Sequence, residues 1–312
     1  MRTCPNAEAE QAAMPNESGH VRLIFRMCGM LNVSTIHTVN KLEQKITRAT
    51  PVAVEPPYVM PATPADMCVG KALDAQTVEF WLLSREALQR QAERFCATLS
   101  IDEQLRRDRF IRVEDRVRFN LYRGALRTVL SLYVAVPPHQ IRFRVAGNGK
   151  PELHPDVHTN APRFNLSHSD DACCIAIART EVGVDVESLD RTIEPLGVAR
   201  HAFHPAEASA LSAMDDAARR ALFTRWWTAK EAFFKARGLG LAGGLSRLDL
   251  SHWQNGEAAR IVDETGTAWI LRSYEFGRWV VTLASVESVR SIILRSISGP
   301  GAASGELITR SS

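Results

Sequence analysis

Apolar residues recur three and four apart from Leu222 to Ala236. Leu222, Trp226, Ala229, Phe233 and Ala236 fall on one side of a helical wheel, while Thr224, Thr228, Glu231 and Lys235 lie roughly opposite. The pattern predicts an amphipathic helix with a polar side, closed by Gly238. Glu231 and Lys235 stand four apart and would be neighbours on its surface. A second helical pattern runs from Arg106 to Arg127: Phe110, Val113, Val117, Leu121 and Ala125 interleave with arginines, giving one basic side. Pro137 and Pro138 end it. Val78 to Leu83 reads as the first strand, with a helix from Arg85 to about Leu99 and another opening at Ile101, Asp102 being its candidate cap.

Further on, Ile141 to Val145 alternates like a half-buried strand, and Gly147 to Pro151 is a turn. Cys173 to Ala178 and Val182 to Glu187 are apolar strands with a short turn between them, which predicts a hairpin. Residues Glu194 to Met214 are helical in pieces, broken near Pro205, and Gly238 to Gly244 is a flexible loop. Leu248 to Leu250, Trp269 to Tyr274 and Trp279 to Ala284 read as late strands. Residues 76–180 and 181–288 each run from a strand through helices to paired strands, a coarse duplication without a sequence repeat. Residues 1–75, with Pro51, Pro56, Pro57, Pro61 and Pro64, are expected to form a poorly ordered extension, with Met60 and Met67 as possible internal starts. The Ser/Gly-rich segment 289–312 is expected to be a flexible tail.

Composition narrows the function. The chain has 312 residues, 45% of them hydrophobic, enough for one large domain or two of ordinary size. A net charge of only +3 creates no global field that demands a nucleic-acid partner. The six cysteines contain no C-x-x-C pair, which fits a reducing cytoplasm. No apolar run approaches the roughly 20 residues of a membrane helix, and the N-terminus lacks a signal-peptide core. The arginine-dense stretch leaves three readings: a solvated helix face, a nucleic-acid surface poor in stacking aromatics, or an anion site built from guanidinium forks.

Asp185 and Glu187 are two apart on a strand, so both carboxylates share a face. Two buried carboxylates repel unless a cation or proton intervenes, and an oxygen-only set suits a hard ion such as Mg²⁺. The plain alternative is two exposed acids on an amphipathic strand. Glu231 supplies a third oxygen ligand if its helix packs on that strand. His168, in Phe164-Asn165-Leu166-Ser167-His168-Ser169, is either a structural histidine or a phosphate donor. Lys150, in Gly149-Lys150-Pro151, is a turn lysine or a second phosphate contact, and Lys235 is a simple ion-pair partner of Glu231 or a group neutralising a transferring phosphate.

Taken together, Phe164 to Ser169, Gly183-Val184-Asp185-Val186-Glu187 and Trp226-Trp227-Thr228-Ala229-Lys230-Glu231-Ala232-Phe233-Phe234-Lys235 resemble the 4′-phosphopantetheinyl transferase superfamily, in its long, single-chain Sfp-type branch. The resemblance covers about residues 78–286. It implies an α/β (α+β) fold of two similar subdomains in a pseudo-twofold arrangement, with the site at their interface. It also implies transfer of the 4′-phosphopantetheine arm of coenzyme A to a serine of an apo carrier protein (acyl, polyketide or peptidyl), releasing 3′,5′-ADP. By similarity Asp185, Glu187 and Glu231 hold Mg²⁺, and Glu231 helps deprotonate the serine. Lys235 stabilises the transferring group. Arg118, Lys150 and His168 contact coenzyme A phosphates with Ser167 nearby, and Arg106 and Arg109 align more loosely with basic positions. Val186 offers no ligand, so water would fill its coordination position. A cytoplasmic monomer, with no nucleic-acid or membrane partner, is the expected form. The competing readings are a coenzyme A or nucleotide-binding protein without transferase activity and a nucleic-acid module using the 106–127 helix.

Overall fold

The computed structural model describes residues 43–47, 52–54, 58–59, 70–147, 149–169, 171–239, 244–254 and 258–298. Three short strands come first: β1 (Glu43–Thr47), β2 (Val52–Val54) and β3 (Tyr58–Val59). β4 (Thr77–Ser84) is buried along both faces until Ser84, as its run of apolar residues requires. Ser84 Oγ then accepts from the Ala87 amide and caps α1 (Arg85–Gln89). Gln91 leaves helical backbone, at φ −116° and ψ 15°, so the helix expected from Arg85 to Leu99 is split into α1 and α2 (Ala92–Thr98).

α3 (Ile101–Asp108) is capped by Ser100, not Asp102. Ser100 Oγ accepts from the Glu103 amide and Glu103 Oε2 accepts from the Ser100 amide, which closes a capping box. The arginine-dense stretch is not one helix either. The chain breaks at residues 109–112 before α4 (Val113–Val134). Nor is its basic side uniformly solvated. Arg127 is buried at 2% exposure, donating to Glu103 and to the Pro138 and Ile141 carbonyl oxygens, and Arg123 pairs with the same Glu103. One carboxylate therefore fastens α3 to α4. α4 ends at Ala135 in left-handed backbone (φ 53°) ahead of Pro137.

β5 (Phe143–Val145) and β6 (Pro151–Leu153) form a small hairpin. β7 (Arg163–His168), β8 (Ala172–Ala178) and β9 (Val182–Ser188) follow. The hairpin expected between β8 and β9 is absent: β8 pairs with β4 and β7, whereas β9 pairs with β12 (Trp279–Val286) in a different sheet. The two strands are continuous in sequence but divide the molecule between them. The helices α5 (Pro195–Ala202) and α6 (Pro205–Ser212) break at Phe203 and His204, beside Pro205. α7 (Asp216–Arg237) is capped by Asp215 and closed by Gly238 at φ 67°. Leu248 to Leu250, expected as a strand, is instead an irregular segment after a short 3₁₀ turn, because the Leu250 amide donates to Glu207 of α6 rather than to a sheet. β10 (Ala258–Val262), β11 (Ala268–Phe276), β13 (Ser291–Arg295) and β14 (Ile297–Ser298) complete the chain.

Two five-stranded sheets result, in the orders β2-β13-β4-β8-β7 and β1-β10-β11-β12-β9. The halves repeat one plan. Each opens with a strand, passes through short helices to a helix of 22 residues, and ends in a hairpin whose second strand pairs back with the opening strand. That gives β4-β8-β7 in one half and β9-β12-β11 in the other. The amphipathic reading of α7 needs correction. Its supposed polar side is covered as well, with Thr224, Thr228 and Glu231 all buried. Thr228 Oγ1 lies 2.8 Å from Thr282 Oγ1 on β12, while the Trp226 indole donates to the Trp253 carbonyl oxygen on the opposite side. α7 is wedged between sheet and loop.

The segments expected to be disordered also contribute strands. β1 extends one sheet beside β10, and β2 lies parallel to β13. β13 in turn lies parallel to β4 with Ile292 and Leu294 buried, so 291–295 belongs to a sheet and not to a flexible tail. Residues 1–42, 48–51, 55–57 and 60–69, including Met60 and Met67, and residues 299–312 lie outside the described residues.

Candidate active site

β7 and β9 are the edge strands of the two sheets, and they face each other across a seam. No backbone ladder joins them; side chains do. Alternate residues of β7 and the residue just beyond it point at β9. Asn165 Oδ1 accepts from the Val184 amide at 2.9 Å, Ser167 Oγ donates to Asp185 Oδ1 at 2.6 Å, and Ser169 Oγ approaches Glu187 Oε2 at 3.4 Å. The N-x-S-x-S spacing of one strand thus matches the D-x-E spacing of the other, because both have period two.

α7 packs across this seam. A Cβ on Gly183 would overlap the Ala232 carbonyl oxygen, so only glycine lets the helix backbone approach β9 this closely. Lys235 then reaches the cluster, donating to Asp185 Oδ1 at 2.6 Å and to Ser167 Oγ at 3.0 Å. Glu231 is buried one turn earlier on the same helix face. Arg191, in the turn after β9, places Nη1 2.7 Å from both oxygens of Glu187.

Asp185 and Glu187 are buried, at 4% and 5% exposure. Burial, and then the charge of Asp185, push the Glu187 carboxyl up to about 7, against the pull of Arg191 and Lys235. Asp185 Oδ2 is buried with no hydrogen-bond partner. Among the described residues no three acidic, histidine or cysteine side chains converge as they stand into a group able to hold a metal ion. The donors themselves nonetheless suit a hard divalent cation. Two like-charged carboxylates share a strand face, one buried oxygen is unsatisfied, and two basic side chains, Lys235 and Arg191, offset the charge.

His168 lies on the other side of β7. Its ring stacks on Tyr122 of α4, with centroids 5.0 Å apart. Arg118 sits one turn before Tyr122, its Nη1 3.5 Å from Asp115 Oδ1. Arg106 and Arg109 are exposed at the end of α3, the former 5.6 Å from the Phe119 ring centroid. Lys150 is not in the cluster: its Nζ donates to Glu181 Oε2, the Val182 carbonyl and the Ala236 carbonyl, tying the start of β9 to the end of α7. The structure therefore gathers Ser167, Asp185, Glu187 and Lys235, with Glu231 on the helix face above. His168 and Arg118 stand apart from them, with Tyr122 of α4, whose hydroxyl donates to the Ser169 carbonyl oxygen. Sequence reasoning missed Asn165, Ser169, Tyr122 and Arg191. The alternation of Asn165, Ser167 and Ser169 was a legible signal, whereas Arg191 was not, since only the turn after β9 brings it back.

A sequence model described as the 4′-phosphopantetheinyl transferase superfamily matches residues 181–284, and one described as 4′-phosphopantetheinyl transferase, N-terminal, matches residues 85–180. The 4′-phosphopantetheinyl transferase HetI of Nostoc sp. is 35% identical over 195 residues, which is 62% of this chain and 81% of that protein. The chain belongs to the 4′-phosphopantetheinyl transferase superfamily. It is similar in the same way to the 4′-phosphopantetheinyl transferase Sfp of Bacillus subtilis, at 28% over 195 residues (62% of this chain, 84% of Sfp). A third relative, the 4′-phosphopantetheinyl transferase psf-1 of Bacillus pumilus, is 29% identical over 187 residues (59% and 77%). This transferase belongs to the Sfp-type branch, and its two matched regions meet in the connection between β8 and β9, where one sheet gives way to the other. The strands β1, β2, β3, β4, β13 and β14 lie outside both matches.

Proposed function

We propose that this transferase moves the 4′-phosphopantetheine arm of coenzyme A to a serine hydroxyl of an apo carrier protein. The serine oxygen forms a bond to the pantetheine-bearing phosphorus, the pyrophosphate bond to that phosphorus breaks, 3′,5′-ADP leaves, and the hydroxyl proton is released. The observation that carries this reading is the buried seam cluster of Asp185, Glu187, Ser167 and Lys235, with the unsatisfied Asp185 Oδ2.

Asp185, Glu187 and Glu231 are the residues we assign to hold a divalent cation, Mg²⁺ by their oxygen-only chemistry. When bound, the ion offsets negative charge on the pyrophosphate. Lys235, already 2.6 Å from Asp185, carries a positive charge that favours the charge developing on the transferring phosphoryl group. Ser167 orients both Asp185 and Lys235. Glu231 is the assigned proton acceptor, directly or through water. His168 and Arg118, and more peripherally Arg106 and Arg109, are assigned to coenzyme A phosphates. Lys150 would join them only by trading its bond to Glu181. The burial of Asp185, Glu187 and Glu231 strengthens the electrostatic contacts that these carboxylates make.

Among the described residues no helix is long and apolar enough to cross a membrane, and the described cysteines Cys96, Cys173 and Cys174 are unpaired. We assign the enzyme to the cytoplasm, acting as a monomer on acyl, polyketide or peptidyl carriers. The test is the intact mass of apo carrier proteins after incubation with coenzyme A and Mg²⁺. The expected result is a gain of one phosphopantetheine that disappears with chelator, with Asp185→Asn, or with alanine at the carrier serine. No gain on any carrier, or full activity of Asp185→Asn, would overturn the proposal.

A further inference from the structure

Four charged side chains meet at the seam in two pairs, Lys235 with Asp185 and Arg191 with Glu187. The Lys235 pair belongs to the mechanism just proposed. In the other pair Glu187 has a part in it, but Arg191 has none. One guanidinium nitrogen lies 2.7 Å from each Glu187 oxygen, so Arg191 occupies the side of the carboxylate where a cation held by both oxygens would sit.

The arginine is held there by its backbone. The Arg191 amide donates to the Ser188 carbonyl oxygen at 3.2 Å, and the Asp190 amide donates to Ser188 Oγ, which closes the turn after β9. The Leu189 amide donates to the Arg278 carbonyl oxygen at the β11–β12 end of the sheet, and Arg220, in the first turns of α7, donates to the Arg191 carbonyl oxygen at 3.3 Å. Three elements thus fix the turn that points Arg191 back over Glu187. The Arg191 side chain keeps 29% exposure, against 7% for that of Glu187, so it has a path away from the carboxylate into solvent.

We propose that Arg191 is a built-in counter-ion for the acidic pair: it holds Glu187 in the metal-free enzyme, must give it up when a divalent cation binds, and so sets the cation affinity. Two buried carboxylates two residues apart need positive charge nearby in either state. Arg191 supplies it before the ion arrives and is the side chain that the ion displaces. It is a positioning residue that acts through Glu187. The inference rests on the metal reading above.

The test is Mn²⁺ binding without coenzyme A or carrier, followed by the electron paramagnetic resonance signal of free Mn²⁺, together with thermal melting with and without Mn²⁺. Arg191→Gln should bind Mn²⁺ about tenfold more tightly, the scale of one lost charge-assisted hydrogen bond. Its metal-free form should melt lower than wild type, and Mn²⁺ should raise its melting temperature by more than it raises that of wild type. Arg191→Lys should fall between the two, and it carries the same comparison if the glutamine variant fails to fold. Unchanged affinity would overturn the proposal, and so would weaker affinity, which would make Arg191 an aid to Glu187 rather than its competitor. Wild-type binding that Asp185→Asn abolishes while Arg191→Gln leaves it unaltered would sink the counter-ion role alone. An absence of Mn²⁺ binding in every form would sink the metal reading and this inference together.

Discussion

Lys230 sits beside Glu231 in the organising helix, yet it points away from the active site. It is fully buried, 2.9 Å from the equally buried Glu207 of α6. Its Nζ also donates to the Leu245 carbonyl oxygen at 2.7 Å and to that of Leu248. Glu207 accepts from the Leu250 amide at 2.7 Å and the His204 amide at 2.9 Å. Burial pushes the Glu207 carboxyl up and the Lys230 ammonium down, and each partner resists the other's shift. Replacing Lys230 by Met keeps much of the side-chain length but leaves Glu207 without its cation and two buried carbonyls without that donor. Breaking one partner of a buried pair costs about 3–5 kcal/mol. At roughly 2–4 °C per kcal/mol for a chain of this order, the melting temperature should fall by about 6–20 °C. Glu207→Gln should cost somewhat less, because its remaining carbonyl still accepts one amide. The double variant should be less destabilised than the sum of the singles by more than about 1 kcal/mol, since the second change removes a group the first has already orphaned. Urea unfolding followed by tryptophan fluorescence measures all three. A loss below about 1 kcal/mol for Lys230→Met, or additivity within about 0.5 kcal/mol, would refute the claim that this pair fastens α6, α7 and the segment at 245–250 together.

Two further predictions come from other parts of the fold. Gly183→Ala places a methyl group against the Ala232 carbonyl oxygen and the Ala236 amide, neither of which can yield without moving α7. It should destabilise by about 1–3 kcal/mol or more and lower transfer activity; wild-type melting and turnover would show that α7 does not rest on Gly183. Burial alone would raise the Glu79 carboxyl, but hydrogen bonds from Lys71, Arg295 and Tyr133 hold it below its ordinary 4.5. A depressed carboxyl contributes stability that is present above pH 4.5 and is lost as pH falls through its folded value. Glu79→Gln should therefore cost about 2 kcal/mol at pH 7 and flatten the acid limb of the stability curve; urea unfolding between pH 7 and 3 with parallel profiles for both proteins would contradict this.

What the sequence revealed of this molecule was what lies close along the chain. Asp185 and Glu187 share a strand face by local periodicity, Glu231 and Lys235 share a helix face for the same reason, and both relations hold in the structure. Relations between distant elements were harder. The short link between Cys173-to-Ala178 and Val182-to-Glu187 looks like a hairpin, and only the competing partners β4 and β12 decide otherwise. Thr224, Thr228 and Glu231 read as a solvent face because hydroxyl and carboxyl groups usually are one; here Thr282 and the seam supply polar partners inside. Lys150 carries the charge expected of a phosphate contact, but three acceptors on two other elements take its ammonium. The 291–295 strand escaped notice because it is short and its partner lies more than two hundred residues earlier.

That last pairing has a consequence for how the chain comes off the ribosome. Synthesis proceeds from the N-terminus, and domains tend to fold as their residues emerge. β4 and β8 can pair as soon as both have emerged, but the other side of β4 must wait for β13, which is translated more than two hundred residues after it. Until then the nascent N-terminal half carries an open sheet edge, the kind of surface that invites pairing with another chain. The two matched regions can each gather their own helices in turn, while the sheet that contains β4 is sealed only after both have emerged.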